Sequence, residues 1–194
     1  MSTPDPTLKH PDRDLSIRAG HVTRSVPKQC WWNARNTVRL GRTRQWLKGA
    51  EYVEGWCVDM SIPLIFEHAW VEMPDGTIIE PTLSRKAISF GGDQFDPTDY
   101  TYHPVIRFDG DDVPDDNNLP WHWQVFHLDP SFRDVWMDAY DKAHESVWGI
   151  SWRATLSAMA AAQARPADST ATTISVRQHG SSAFAGISPT PAPA

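Results

Sequence analysis

Apolar positions first take up a helical period just after Gln29: Cys30, Ala34 and Val38 recur four residues apart, joined by Trp31 and Leu40. A single inward stripe of that kind predicts a helix, with Ser25 and Pro27 as start signals and Gly41 as its stop. The pattern then turns aromatic and β-branched in three short stretches that read as strands, Tyr52 to Val58, Phe66 to Met73 and Thr77 to Thr82. Between the last two lies Pro74-Asp75-Gly76, a three-residue hairpin loop in which Pro74 and Asp75 suit a type I turn and Gly76 the left-handed position of a bulge. Val105 to Phe108 and Trp121 to Leu128 read as two further strands. They flank a polar loop carrying Asp109, Asp111, Asp112, Asp115 and Asp116, which lacks the glycine and terminal glutamate placement of an EF-hand and is read as solvated.

The last pattern is again helical. Asp129-Pro130-Ser131, with Asp134 three residues after the serine, is a start signal, and Phe132, Trp136, Ala139, Tyr140, Ala143 and Val147 form one apolar stripe. Gly149 ends or kinks it before a second, Ala-rich piece. A helix, an antiparallel meander and a closing helix make an α+β order: the Cys30 helix packed on an antiparallel sheet, closed by a long C-terminal helix. The ends break the pattern. Residues 1–25 are polar and dotted with proline, and 164–194 is an Ala/Ser/Thr/Pro mixture whose charges are only Arg165, Asp168 and Arg177. Neither composition offsets its ordering entropy, so a disordered arm and a disordered tail are expected on either side of one domain at 26–163. That leaves roughly 140 residues, the size of an ordinary domain.

Composition narrows the function. The 194 residues carry a formal charge of −6, ten tryptophans and two cysteines. With no apolar run of 18 residues and no basic, apolar leader in MSTPDPTLKHPDRDLS, the chain is read as cytoplasmic and without a membrane partner. Two cysteines make no disulfide framework; Cys30 and Cys57 are expected as thiols, with a single bridge between them left open. The acidic balance, and the absence of zinc-finger spacing, a Walker loop or GxGxxG, argue against nucleic acid and nucleotides as partners, and no cofactor is called for. His122 and His127, five apart in a presumed strand, would face opposite sides, so no metal is expected. Lys28, Arg35, Arg39, Arg42, Arg44 and Lys48, with no acid among them, give the first helix a cationic outer face, either solvated or turned to an anion.

Three residues carry the chemistry. Cys30 stands in the first turn of its helix, where the positive end of the dipole favours a thiolate. An imidazole beside such a thiol takes its proton, and a third group holds that imidazole in the useful tautomer. The hairpin supplies both. With a three-residue loop Met73 faces Thr77, Trp70 lies opposite Glu80 and His68 opposite Thr82, all on one face. His68 and Glu80 are then diagonal neighbours, roughly 7–8 Å apart at the backbone. Each residue has a plainer reading, Cys30 as a small buried apolar side chain and His68 as a satisfied core histidine. Cys57, mid-strand with no helix end to activate it, is read as packing.

The order Cys30 at a helix start, His68-Ala69-Trp70-Val71-Glu72 on a strand, a turn, then Glu80-Pro81-Thr82 resembles the core of the transglutaminase-like superfamily, within the papain-like cysteine-enzyme fold. Tyr52-Val53-Glu54-Gly55-Trp56 stands where that family has a strand ending in Gly-aromatic, and the resemblance covers Pro27 to Leu83. It implies that Cys30 is the nucleophile, His68 the general base and Glu80 the orienting acid. The family usually has Asp before Pro-Thr, so Asp96, Asp99 or a backbone carbonyl stay open as alternatives for the third role. The approach to Cys30 also lacks the family's glycines. Gln29 is a candidate oxyanion donor with the Cys30 backbone N–H, or a cap, and Trp70, on the face of His68, a candidate wall of the cleft. The expected activity is thiol-dependent acyl transfer, in the first place hydrolysis of a peptide or small amide. The rival is a non-catalytic binding or assembly module on the same fold, and no oligomeric state follows from the sequence.

Overall fold

In a computed structural model of the chain, the residues described are 9–84, 95–110, 112–113 and 120–164. In chain order they form α1 (Arg13–Val22), α2 (Cys30–Leu40), β1 (Glu51–Asp59), β2 (Leu64–Glu72), β3 (Ile78–Ile79), β4 (Tyr100–Phe108), α3 (Trp121–Leu128), α4 (Phe132–Trp148) and α5 (Trp152–Ala164). The strands make one antiparallel sheet in the order β3-β2-β1-β4. The fold is α+β, as the patterning implies. Alternation divides the sheet into two buried faces. Tyr52, Ala69, Val71 and Ile79 pack with Cys30, Ala34 and Val38 of α2 and Ala19 of α1. Val53, Cys57, Trp70, Ile78 and Tyr102 fill the other side. Trp56 leans on Trp136 and Tyr140 of α4, with ring centroids 5.5 and 4.8 Å apart.

β4 begins five residues earlier than the apolar pattern shows, because Pro104 conceals it. A register shift after Glu54 pairs Gly55 with Pro104 and leaves Val105 as the extra residue. Proline is tolerated there, at a bulge on an edge strand. The close crossing explains Gly55: a Cβ at this position would lie 2.2 Å from the His103 carbonyl oxygen. Conversely, β3 is much shorter than the stretch Thr77 to Thr82 suggests. Pro81 has no N–H to give a ladder, and the chain leaves the sheet at Glu80.

Two further expectations are corrected. The arm expected at 1–25 contains α1. Asp12 caps it by accepting the Leu15 N–H at 2.8 Å, and its backbone N–H bonds the Ile78 carbonyl at 2.8 Å, while Pro11 bridges to Ile78. Its buried face is Ser16, Ala19 and Gly20, small residues that allow close approach but carry little hydrophobic periodicity, so the pattern does not reveal a helix. The presumed strand Trp121 to Leu128 is α3. Its aromatic composition suits a strand, and the capping that makes it helical comes from β1, described below. The cationic face also loses a member, since Arg35 is buried at 4% exposure. The long closing helix is α4; Gly149 stops it in the left-handed region at φ 68°, and α5 follows. Asp111, Asp115, Asp116 and the expected tail from Arg165 onward lie outside the described residues. Among the described residues no helix is long and apolar enough to cross a membrane.

The crossing at the bulge has a measurable consequence. Gly55→Ala drives a methyl into the β4 backbone rather than into a flexible side chain, and overpacking of that kind costs about 1–3 kcal/mol. The urea midpoint of the variant should fall accordingly.

Candidate functional site

Cys30 is the first residue of α2. Gln29 precedes it as N-cap, and its carbonyl accepts the Asn33 N–H at 2.9 Å, but its side chain makes no capping bond. The first-turn N–H groups therefore lack partners within the helix, at the positive end of its dipole. The approach is bent into place by Lys28, held at φ 66°. That left-handed position costs a side-chain-bearing residue roughly 1–2 kcal/mol, and here no glycine relieves it. Asn33 holds the bend. Its Oδ1 accepts the Val26 N–H at 2.9 Å, and its Nδ2 donates to the Val26 carbonyl at 2.7 Å and to Thr82 Oγ1 at 3.0 Å. One buried amide thus ties the loop before Cys30 to the turn after Glu80.

The hairpin has the register inferred from its loop. Val71 pairs with Ile79 and Glu72 with Ile78, the Met73 N–H bonds the Thr77 carbonyl at 2.9 Å, and Gly76 sits at φ 80°. Glu80, just past β3, is fully buried and folds back on its own turn. Oε1 accepts the N–H groups of Thr82 and Leu83 at 2.8 and 3.0 Å. Oε2 takes His68 Nε2 at 2.7 Å and the Tyr102 hydroxyl at 3.2 Å. From α1, Ser16 Oγ accepts the Glu80 backbone N–H at 2.9 Å, and the Ser84 hydroxyl donates to the Ser16 carbonyl at 3.0 Å. The extra methylene of glutamate lets one carboxylate close its turn and still reach the ring. The alternatives Asp96 and Asp99 lie elsewhere: Asp96 accepts from Thr98, and Asp99 belongs to the short 3-10 turn Pro97–Asp99.

With Nε2 given to Glu80, Nδ1 is the ring nitrogen left over, and Cys30 lines the same cavity as the ring and lies close enough for its charge to act on it. Burial by itself lowers the pKa of His68. The charges of Glu80 and Cys30, and the hydrogen bond to Glu80, outweigh it and raise the value to about 10. Cys57 has the opposite setting. It is fully buried, and burial followed by the Glu80 charge pushes its thiol well up. Both cysteines are free thiols.

Because β3 pairs only with Val71 and Glu72, no described strand covers the outer edge of β2 from Leu64 to Trp70. A cavity of about 420 Å³ opens there, lined by Cys30 and His68 together with Leu64, Phe66, Thr82 and Leu83. Cys30 and His68, at 6% and 5% exposure, form its floor. Two residues singled out from the sequence do not line it. Trp70 shares the face of His68 as inferred, but it is completely buried against Tyr102, with ring centroids 4.9 Å apart, and walls the core instead. Gln29 is exposed beside Cys30.

A second histidine cluster was not legible in the sequence. Glu54 of β1 is buried and takes four donors: the Tyr52 hydroxyl, the backbone N–H groups of Trp121 at 2.7 Å and His122 at 2.9 Å, and His122 Nδ1 at 2.8 Å. His122 Nε2 reaches Glu67 Oε2 at 3.2 Å, and its ring stacks on Trp136 at 4.1 Å. Burial lowers the His122 pKa, but the hydrogen bonds to Glu54 and Glu67 overcome it and raise the value. The side chain of His127 lies outside the described residues. Among the described residues no group of three His, Cys, Asp or Glu side chains is placed to hold a metal ion.

Comparison of the chain with family models, with curated proteins and with solved structures finds no match in any of the three.

The His68 site predicts a pH dependence of stability. Folded His68 keeps its proton up to about 10, whereas in the unfolded chain it loses it near ~6.5. More protons are bound when folded, so this stability is complete below ~6.5 and is lost as pH rises through about 10. Urea midpoints should fall across that window, and the fall should flatten in Glu80→Gln, which removes the carboxylate charge and keeps the shape. Separately, Asn33→Ala leaves the Val26 N–H without its acceptor and removes the tie to Thr82, and should cost about 1–3 kcal/mol in the same measurement.

Proposed function

We propose that the protein is a thiol-dependent acyl-transfer enzyme, in the first place a hydrolase of an amide or peptide bond, with Cys30, His68 and Glu80 as its triad. The observation that carries this reading is that a buried imidazole bonded to Glu80 and the Cys30 thiol at a helix start line one open cavity. The likeness of Cys30, His68-Ala69-Trp70 and Glu80-Pro81-Thr82 to the transglutaminase-like superfamily supports it, and so does the helix-start position of the thiol.

In this mechanism Cys30 Sγ, its proton held on His68 Nδ1, attacks the substrate carbonyl and forms a C–S bond. The resulting oxyanion lies at the α2 N-terminus, where the Cys30 backbone N–H faces it and the exposed Gln29 side chain is the candidate second donor. As the C–N bond breaks, His68 passes its proton to the departing amine and leaves a thioester on Cys30. Water, deprotonated by the now neutral His68, then attacks the thioester; the C–S bond breaks, the acid departs and the thiolate–imidazolium pair is restored. Throughout, Glu80 keeps Nε2–H directed at itself and so keeps Nδ1 turned to the sulfur.

Iodoacetamide labelling followed by mass spectrometry tests the activation directly. Cys30 should be modified well before Cys57, and Cys30→Ala should lower amine release from a panel of N-acyl p-nitroanilides by about 10³-fold or more. Equal, slow labelling of the two thiols, at the rate of an unperturbed thiol, would overturn the enzyme reading in favour of a binding or assembly module.

A further inference from the structure

The wall of the Cys30–His68 cavity is mostly apolar: Pro27, Trp31, Ile62, Leu64, Phe66 and Leu83. Ile62 and Leu64, on and beside the β1–β2 turn, are 60% and 48% exposed. Large apolar side chains left to water around one opening mark a place that something apolar covers. The volume, about 420 Å³, is that of a small-ligand pocket.

The charged groups on the same wall are not equivalent. Asp59 Oδ1 is occupied by the N–H and hydroxyl of Ser61, at 3.0 and 2.5 Å. Glu67 is bonded to His122, and His68 to Glu80. Lys28 differs. It lines the cavity, its backbone is held in the left-handed region two residues before the nucleophile, and among the described residues it has no hydrogen-bond or ion-pair partner. The cavity therefore offers an apolar body, a nucleophile and one uncommitted cation.

We propose that this cavity takes an N-acyl amino acid: the acyl chain lies against Leu64, Phe66 and Leu83, the amide carbonyl meets Cys30 Sγ, and the carboxylate pairs with Lys28. The inference rests on the acyl-transfer reading for its chemistry but not for its ligand. Turnover would join the acyl group to Cys30 and release the amino acid, protonated by His68; hydrolysis of the thioester would then return the fatty acid.

The test compares N-decanoylglycine with N-decanoylglycinamide, which differ in one charge. Binding is read from tryptophan fluorescence, since Trp31 lines the cavity, and turnover from glycine or glycinamide release. The full chain should bind the carboxylate about fivefold more tightly, the ratio one exposed ion pair provides. Lys28→Gln should bring that ratio close to one, and Leu64→Asp should weaken both ligands by about tenfold. Equal affinity for the two, or a ratio unchanged in Lys28→Gln, overturns the proposal. Charge-selective binding without glycine release sustains the ligand class and removes the acyl-transfer reading. Release of both amines with no preference does the reverse.

Discussion

The site depends on a buried carboxylate that must be completely satisfied. An unpaired carboxylate is very costly away from water, and a buried one persists only when donors surround it. Glu80 meets that condition with four: two backbone N–H groups of its own turn, the Tyr102 hydroxyl from β4 and His68 Nε2 from β2. Each donor comes at a fixed distance, so satisfying the charge also fixes the turn, the ring and the face of β4 that closes over them. The ring cannot flip without abandoning Glu80. Cys30, at the start of α2, lines the same cavity as that ring.

The same device recurs on the other face of the sheet. Glu54 is buried with four donors, one of them a histidine ring nitrogen, and two of them are the first N–H groups of α3. A strand side chain thus caps a helix nearly seventy residues later in the chain and settles its register. Through His122 this cluster holds Glu67, which immediately precedes His68 on β2. The two networks thereby brace β2 from opposite faces, at the stretch where no described strand covers its outer edge. The cavity forms along that stretch, between the two networks.

The approach to Cys30 shows a different balance. A lysine in left-handed backbone is retained where glycine would relax the bend, and a buried asparagine holds the turn with two hydrogen bonds to Val26 and anchors it to Thr82 with a third. Backbone strain is kept only where surrounding contacts over-determine it, and such places gather at functional sites. The strain and its restraint lie beside the thiol, within one turn of helix.

Much of this was legible in the residues. The apolar stripe of α2, the Pro74-Asp75-Gly76 loop and the aromatic, β-branched strand stretches determined the α+β order and the hairpin register. Register alone, set by a loop of three residues, brings His68 and Glu80 to one face, because alternation is local. What the sequence hid has a common cause. α1 carries small residues and no apolar stripe, β4 runs through a proline at a bulge, Trp70 is turned into the core, and α3 is made helical by Glu54. In each case the deciding partner is far away in the chain, and an amide satisfied by a distant carboxylate, or a proline accommodated by a sheet edge, leaves no periodic trace. Sequence settles what a residue does with its near neighbours; only the tertiary structure decides which distant group will meet its unsatisfied hydrogen bonds.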